Sequence, residues 1–207
     1  MSTSIGGPWP STARALFAMT EAKDPCLRGH AQRVCGLAVA IAAHLGIRDT
    51  SLETIKVAAL LHDVGKIAVP DDVLQKPAAL TDEEFAVVQE HPGRGYEILS
   101  ATPALQGAAA GVRSHHERLD GSGYPDGLEG DEIPLEARIV AVADVWDALT
   151  SRRVYRDSMS NAEARRIMKR ESGCRLDRSC VRALFAVLDR APADAFASHS
   201  AGLGWAS

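Results

Sequence analysis

Hydrophobic residues recur at steps of three and four along most of the chain, which is the period of an α-helix. The segment Pro25–Leu45 shows this pattern best, because Val34, Leu37 or Ala38, and Ile41 fall on one face with the final leucine. Strict alternation of apolar and polar residues, which marks half-buried strands, is hard to find. The pattern therefore predicts an all-α protein, a single-domain helical bundle of about six to eight helices.

Caps and breakers set the predicted bounds of these helices. Thr81-x-x-Glu84 is a capping box, Gly46 ends a helix, and Pro92 and Gly93 disturb another. The predicted helices cover about residues 11–22, 25–45, 52–64, 81–91, 103–114, 135–151, 161–171 and 178–188. We assign residues 1–19 to an N-terminal lead-in, residues 20–190 to one domain and residues 191–207 to a loose tail.

The segment 120–134 interrupts the helical pattern. It is rich in glycine, contains two prolines and shows no helical period, so we expect a loop. Loops of this length inside a compact domain are uncommon and usually functional. The segment is therefore a candidate functional loop.

Composition and charge exclude several classes of protein. The 207 residues are 46% hydrophobic and 24% charged, as in ordinary globular domains. A net charge of −4 and a pI near 6.0 argue against a nucleic-acid polymer as partner. No apolar run could span a membrane, the N-terminus lacks a signal-peptide pattern, and the four cysteines show no C-x-x-C spacing. These features predict a cytoplasmic protein that is not inserted in a membrane.

Five histidines and two aspartates fall at helix ends or on inward helix faces. They are His30, His62, His91, His115, His116, Asp63 and Asp144. One such histidine alone would be an ordinary core or capping residue. Burying so many ionisable groups together is costly unless metal ions pair with them. Imidazole and carboxylate ligands in this number suit two divalent transition-metal ions, such as iron, manganese or zinc.

Several short motifs occur in order along the chain. His62-Asp63-Val64-Gly65-Lys66 resembles the signature of the HD superfamily of metal-dependent phosphohydrolases. The stretch HHERLDGSGYP, residues 115–125, is similar to the defining motif of the HD-GYP subfamily. Further matches are His30-x-x-Arg33-Val34, Leu74-x-Lys76-Pro77, Glu90-His91-Pro92-x-x-Gly95, and residues 130–138 and 143–151. The resemblance covers about residues 20–190 and implies the helical bundle of an HD domain.

The resemblance also implies an activity and a set of metal ligands. Members of the family are bacterial phosphodiesterases that hydrolyse cyclic di-GMP to pGpG, and further hydrolysis to GMP is left open here. The implied ligands are His30, His62, Asp63, His91, His115, His116 and Asp144. In the family pattern Asp63 bridges two ions, His62 and Asp144 go with one ion, and the other ion takes residues 91, 115 and 116.

Residues beside this set are implied to act on the substrate. By resemblance, Lys66, Arg153 and Arg156 hold substrate phosphate, and Asp147 supports the site. Two ions about 3.5–4 Å apart can hold a hydroxide, lower its pKa and direct it at phosphorus. Lys66 follows Asp63 by three residues, so both are candidate catalytic residues, with the ammonium acting on the phosphate as a point charge. The alternative for the lysine and the two arginines is a solvated surface charge.

The loop 120–134 admits two interpretations. In the first, the Tyr124 ring stacks on a guanine of the substrate, and the resemblance links the loop to partner domains of the GGDEF type. In the second, the glycines and Pro125 shape a rigid connector that delivers the preceding histidines to the metal ions. Asp120 would cap the turn or hold a histidine from behind.

One departure from the family concerns the number of ions. Some members carry a glutamate four residues before His30 and bind a third ion, whereas this chain has Cys26. We therefore expect two ions, with iron or manganese favoured over zinc or nickel. Only about twenty residues precede the match, so we expect regulatory input to come from a partner, from oligomerisation (a homodimer is left open) or from metal and redox state, or else to be absent.

Two other functions stay open beside the leading one. A catalytically slow domain could bind cyclic di-GMP or a GGDEF partner as a signalling module, in which case it would bind the nucleotide without turnover. An HD phosphohydrolase could instead act on another cyclic dinucleotide, and a substrate panel would distinguish the two activities.

Overall fold

The structure is a computed structural model, and it describes residues 10–24, 28–151 and 158–190 of the chain. Within these ranges the chain forms α-helices and short 3₁₀ turns, with two isolated β-bridges and no extended strand. The α-helices are α1 (Ser11–Lys23), α2 (His30–His44), α3 (Asp49–Leu61), α4 (Asp71–Leu74), α5 (Asp82–Gln89), α6 (His91–Ser100), α7 (Ala109–Arg113), α8 (Leu135–Thr150), α9 (Asn161–Glu171) and α10 (Arg178–Arg190). The prediction of an all-α fold is confirmed.

The centre of the bundle consists of α2, α3 and α8, and α10 packs on both α2 and α8. The stripe predicted on α2 is buried, since Val34, Leu37 and Ile41 are all at most 1% exposed. They share one hydrophobic core with Ile139 of α8 and Leu184 of α10. Full burial of each such side chain contributes about 1.5–3 kcal/mol, so this core fixes the helices that carry the polar residues described below.

Several helix bounds differ from the predicted ones. The long helix predicted from residue 25 begins at His30, because Gly29 adopts a left-handed conformation (φ 77°) just before it. Helix α3 is shifted towards the N-terminus and ends at Leu61, after which the chain turns through a 3₁₀ segment, Val64–Ala68. The remaining lead-in before residue 10 and the tail 191–207 lie outside the described residues.

The chain around Pro92 forms a new helix rather than a disturbed end. Helix α5 ends at Gln89, and α6 begins at His91 with the proline in its first turn. A proline is tolerated there because the first amide groups of a helix have no intrahelical partner. The predicted capping box of Thr81 and Glu84 is present at the start of α5.

The alanine-rich segment 103–114 is less helical than predicted. It contains a 3₁₀ turn, Gln106–Ala108, and then the short helix α7. A Cβ atom on Gly111 would lie 2.8 Å from Glu136 Cγ and 3.0 Å from Ala58 Cβ, so the glycine allows α7 to approach α8 and α3 closely. Among the residues that the structure describes, no helix has the length and apolar character needed to cross a membrane.

Candidate metal centre

The seven predicted ligands come from separate helix ends that converge in the bundle. His30 and His91 are the first residues of α2 and α6. The other five lie just after α3 (His62, Asp63), just after α7 (His115, His116) and within α8 (Asp144). Helix ends and one inward helix face therefore bring together residues that are far apart in sequence.

Their ligand atoms form overlapping groups. In each group, the atoms that could bind a metal all lie within 4.8 Å of one another. The groups are His30, His62 and Asp144; His91, His115 and His116; and His62, Asp63 and His115. The first two groups are neighbouring clusters, as expected for two metal ions. His30, which had not been assigned to either ion, lies in the cluster of His62 and Asp144.

Asp63 lies between the two clusters. Its Oδ1 is 3.4 Å from His91 Nε2, whereas its Oδ2 is 3.4 Å from His62 Nε2 and 4.0 Å from His30 Nε2. The side chain is almost completely buried. A carboxylate with one oxygen towards each cluster has the geometry needed to bridge two metal ions.

Hydrogen bonds at the outer edge of four rings fix their orientation. The Nδ1 atom of three histidines bonds to the backbone carbonyl three residues earlier, in the pairs His62–Ala59 (2.8 Å), His91–Val88 (2.7 Å) and His115–Val112 (2.7 Å). The fourth, His30 Nδ1, bonds to Asp147 Oδ2 at 2.7 Å. With Nδ1 as donor, each ring presents the lone pair of Nε2 to the centre, which is the usual support of histidine ligands to a metal.

One buried ring nitrogen of the centre lacks a hydrogen bond. His62 Nε2 is inaccessible to solvent and makes no hydrogen bond to any described residue. Leaving a buried polar atom unsatisfied costs about 1–3 kcal/mol. A divalent ion at this position would satisfy it, and imidazole and carboxylate ligands suit iron, manganese, zinc or nickel. The residues present therefore fit divalent metal ions, without selecting one of them.

The electrostatics of the centre favour the ligating forms of most residues. Burial lowers the pKa of His91 to about 4 and that of His116 to about 3, and it also holds the pKa of His115 well below its usual value. Burial alone would raise the pKa of Asp63, but the Lys66 ammonium and the neighbouring histidines hold it well below its ordinary range. Neutral imidazoles and an ionised carboxylate are the forms that bind metal ions.

His30 is the exception among the histidines. Burial lowers its pKa, but hydrogen bonds with Asp144 and Asp147 outweigh burial and raise the pKa to about 9. Its Nε2 lies 3.3 Å from Asp144 Oδ1, so a protonated His30 would direct a proton at this second predicted ligand. A metal ion bound to both atoms would replace that proton.

Asp147, which the sequence predicts as a supporting residue, holds His30 from behind. Its carboxylate also accepts hydrogen bonds from Arg33 Nε (2.6 Å) and Nη2 (3.1 Å) and from Ser151 Oγ (3.1 Å). Arg33 was not predicted to support the site, although its place in the His30-x-x-Arg33 motif was the available signal.

The predicted phosphate-binding residues are only partly described. Lys66 lies beside the centre, with Nζ 2.8 Å from Asp63 Oδ2 and a side chain that is 16% exposed. Arg153, Arg156 and Cys26 lie outside the described residues.

The loop after the two adjacent histidines packs against one of them. The Tyr124 ring stacks on His116, with centroids 4.8 Å apart and an interplanar angle of 30°. Asp120 caps its own turn, accepting hydrogen bonds from Ser122 N (3.1 Å) and Oγ (2.6 Å), and also bonds to Arg175 (3.2 Å). Of its two expected roles, the structure shows the cap, and no described histidine contacts its carboxylate.

Fold and site together define an all-α protein with a buried histidine and aspartate centre suited to divalent metal ions. Comparison with known proteins gives the family, because residues 14–180 match the sequence model of the HD domain family. The chain belongs to this family, and the motif at residues 115–125 places it in the HD-GYP subfamily.

Individual relatives share large parts of the sequence. The cyclic di-GMP phosphodiesterase response regulator RpfG of Xanthomonas campestris pv. campestris is 45% identical over 175 residues, which cover 84% of this chain and 46% of that protein. The 3'3'-cGAMP-specific phosphodiesterase 2 of Vibrio cholerae is 39% identical over 160 residues, covering 76% of this chain and 31% of that protein. The chain thus spans less than half the length of these curated relatives.

A solved structure shares the fold. Bd1817, an HDG"Y"P protein from Bdellovibrio bacteriovorus, superimposes with a TM-score of 0.63 at 25% sequence identity. The match covers 77% of this chain and 51% of that one. The helical arrangement described above is therefore also found in an HD-GYP relative.

Proposed function

We propose that the chain hydrolyses cyclic di-GMP by means of two divalent metal ions. The observation that carries this proposal is the position of Asp63, whose two oxygens face two separate ligand clusters. Such a pair of sites suits the in-line displacement of a phosphodiester. Similarity to a cyclic di-GMP phosphodiesterase over 84% of the chain supports the choice of substrate.

Each ion would be held by one cluster and by the shared carboxylate. His30, His62 and Asp144 would hold the first ion; His91, His115 and His116 would hold the second. When bound, the ions would supply Lewis-acid chemistry, lowering the pKa of a water molecule and neutralising charge on the phosphodiester. We favour iron or manganese, with zinc or nickel as alternatives, and the imidazole and carboxylate donors suit all four.

Residues of the chain itself would bind and orient the substrate. The Lys66 ammonium lies 2.8 Å from Asp63. With the dinucleotide bound, it would pair with a phosphate oxygen of the substrate instead. Arg153 and Arg156 would contribute forked donors to the same phosphates. Asp147 would keep the His30 ring in place. Ring opening would give pGpG, and a second round would give GMP if the linear product re-enters the site.

A second substrate has specific support. Three curated relatives that are 38–39% identical are phosphodiesterases specific for 3'3'-cGAMP, so this cyclic dinucleotide is the second candidate. The outer part of the loop 120–134, around Pro125 and Asp126, is exposed, and we propose it as the contact surface for a GGDEF-type partner domain. A cytoplasmic location is part of the same proposal, and self-association into a homodimer stays open.

Chromatography of nucleotide products tests the proposal directly. The protein, loaded with Mn²⁺ or anaerobically with Fe²⁺, is incubated with cyclic di-GMP and, in parallel, with 3'3'-cGAMP. We expect pGpG from cyclic di-GMP, and we expect Asp63→Asn to abolish turnover because an amide cannot bridge two cations as a carboxylate does. Asp189→Asn, which removes an exposed carboxylate on α10, is the matched control and retains activity.

Each outcome of this experiment points to one function. Faster hydrolysis of 3'3'-cGAMP than of cyclic di-GMP would favour the second substrate. Binding of cyclic di-GMP without turnover, with either metal present, would instead indicate a signalling module.

A further inference from the structure

His116 is held differently from the other four histidines of the centre. Each of the other rings is anchored by a hydrogen bond from Nδ1, whereas neither ring nitrogen of His116 bonds to any described residue. Its contacts are with three rings, because the centroids of His115, Tyr124 and His91 lie 4.0, 4.8 and 5.1 Å from its own, and the Tyr124 ring is tilted by 30° to it. Tyr124 is the one of these three rings that is not itself a predicted ligand.

The loop that carries Tyr124 is fastened by a buried carboxylate. Glu117, which is 2% exposed, accepts hydrogen bonds from Asp126 N (2.7 Å) and Leu128 N (3.1 Å). Arg113 then bonds twice to the Asp126 side chain, at 2.6 and 2.7 Å. These contacts tie residues 126–128 of the loop to Glu117, directly after the two adjacent histidines, and to Arg113, two residues before them.

Close packing at Gly123 brings the loop against the backbone of Glu117 and Arg118. A Cβ atom on Gly123 would lie 2.4 Å from Glu117 Cα and 2.5 Å from Arg118 N, so only glycine allows this approach. On the exposed side, Phe85 of α5 contacts the Tyr124 ring edge to face, with centroids 6.5 Å apart. The tyrosine ring thus has support from the loop, from α5 and from His116.

We propose that Tyr124 is a positioning residue for His116, and that Glu117 acts through the loop to keep it there. The stacked ring replaces the Nδ1 anchor that the other histidines have and holds the imidazole in the orientation needed for the second cluster. This inference rests on the proposed metal centre. It also differs from the expectation that the tyrosine stacks on a guanine, because one face of its ring is already covered by His116.

Two substitutions separate the ring from its hydroxyl. Tyr124→Phe keeps the stacked ring, whereas Tyr124→Leu removes it and keeps an apolar side chain. Phe185→Leu, which removes an aromatic ring of α10 that lies 5.0 Å from the Arg165 guanidinium and away from the centre, is the matched control. Circular dichroism and thermal unfolding of each variant verify that the bundle is retained.

The first readout is the NMR signal of His116 in the metal-free protein, assigned by its loss in His116→Gln. A ring stacked on the imidazole shifts its carbon-bound protons upfield. We expect this shift in the unsubstituted protein and in Tyr124→Phe, and its loss in Tyr124→Leu. Unchanged His116 signals in the leucine variant would overturn the proposal whether or not the protein is a phosphodiesterase.

The second readout is Mn²⁺ binding by calorimetry and metal analysis. Loss of a group that orients a metal ligand typically weakens binding about 10- to 100-fold, so we expect Tyr124→Leu to weaken one of two sites by this factor. The phenylalanine variant and the control should bind as the unsubstituted protein does. Two sites of unchanged affinity in the leucine variant would overturn the proposal.

Glu117→Gln tests whether the hydrogen bonds between Glu117 and the loop help to hold Tyr124 against His116. A glutamine has one acceptor oxygen, and its amide group would face one of the two backbone N–H groups as a second donor. We expect the His116 shift to be reduced and Mn²⁺ binding at one site to weaken by about tenfold or more. If Glu117→Gln leaves both readouts unchanged, the loop contribution is wrong. Failure of the unsubstituted protein to cleave any dinucleotide would count against the proposed function alone.

Discussion

Asp147 accepts a hydrogen bond of 2.7 Å from His30, although the two residues lie 117 positions apart. The bond reaches from α8 to the first residue of α2 and leaves His30 Nε2 facing the metal centre. Arg33, one turn further along α2, bonds to the same carboxylate through two nitrogens. Both oxygens of Asp147 are therefore fully used by donors.

Asp147→Asn should weaken metal binding while leaving the helices intact. An amide puts an NH₂ group where a carboxylate oxygen now accepts from His30 or from Arg33, so one donor faces another. Because this residue orients a predicted ligand, we expect a loss of about 10- to 100-fold in Mn²⁺ affinity, measured by calorimetry. Asp189→Asn, an exposed aspartate on α10, controls for loss of charge. Equal affinities in the two variants would show that Asp147 does not support the centre.

Lys66→Met should separate metal binding from catalysis. The ammonium pairs with Asp63 Oδ2, an oxygen that a bridged pair of ions would need, and methionine keeps the length of the side chain without its charge. We therefore expect Mn²⁺ affinity to be unchanged or higher. Removing one group that stabilises charge in a transition state costs about 10²–10³ in kcat, and we expect a loss of that size in hydrolysis of cyclic di-GMP. Lys169→Met, on the exposed face of α9, is the control, and a parallel loss of metal would contradict the assignment.

Gly65→Ala should destabilise the fold where the centre is assembled. A Cβ atom at this position would lie 1.9 Å from His91 O and 2.6 Å from Gly95 N, which are backbone atoms that cannot move aside cheaply. We expect a loss of about 3 kcal/mol or more in the free energy of unfolding, at the upper end of the cost of overpacking.

The control for that substitution is Gly36→Ala in the middle of α2, where an added Cβ meets no atom within 4 Å. Alanine is a better helix former, so this variant should gain about 0.5–1 kcal/mol. Urea denaturation of both variants measures the difference. Similar stabilities would show that α6 does not approach the 3₁₀ segment Val64–Ala68 as closely as described.

Periodicity predicted the helices well where a buried stripe is long. The stripe of α2 and the helix α8 were predicted because apolar residues repeat through several turns, and burial follows that repeat. The prediction was wrong at the junction of α5 and α6. A proline there can end one helix or lie in the first turn of the next, and the sequence pattern does not distinguish the two cases. The start of α2 depends on Gly29, whose N–H bonds to Glu21 of α1, and no local pattern reveals a contact across eight residues.

The convergence of the seven candidate ligands could be predicted because their motifs are contiguous and specific, and the structure brings all seven residues together. What the sequence could not reveal is how each ring is oriented. The carbonyl partners of His62, His91 and His115 are backbone atoms, which every residue type has, so the sequence does not indicate these hydrogen bonds. The pairing of Lys66 with Asp63, rather than with solvent, likewise depends on the 3₁₀ turn that follows α3.

Asp177 offers a test of the fold away from the centre. Its Oδ1 accepts hydrogen bonds from Ser179 N (2.7 Å) and Cys180 N (3.0 Å) at the start of α10, and its Oδ2 accepts one from Arg138 (2.9 Å). Loss of a capping carboxylate costs about 1–2 kcal/mol, so Asp177→Ala should lower the free energy of unfolding by this amount near neutral pH. Asp189→Ala, which removes a largely exposed carboxylate paired with Arg165 near the end of the same helix, should cost less than about 1 kcal/mol.

The effect of Asp177→Ala should also depend on pH in a defined direction. Burial acts to raise the pKa of this carboxyl, but its hydrogen bonds with the start of α10 outweigh burial and hold the pKa below the ordinary value of 3.8. A carboxyl with a lowered pKa in the folded state stabilises the fold above its ordinary pKa and loses that contribution as the pH falls through the folded value. The difference between the variant and the unsubstituted chain, measured by urea denaturation, should therefore be constant from about pH 7 to about pH 5 and shrink in more acidic solution. A difference that grows on acidification would mean that the carboxylate does not hold the start of α10.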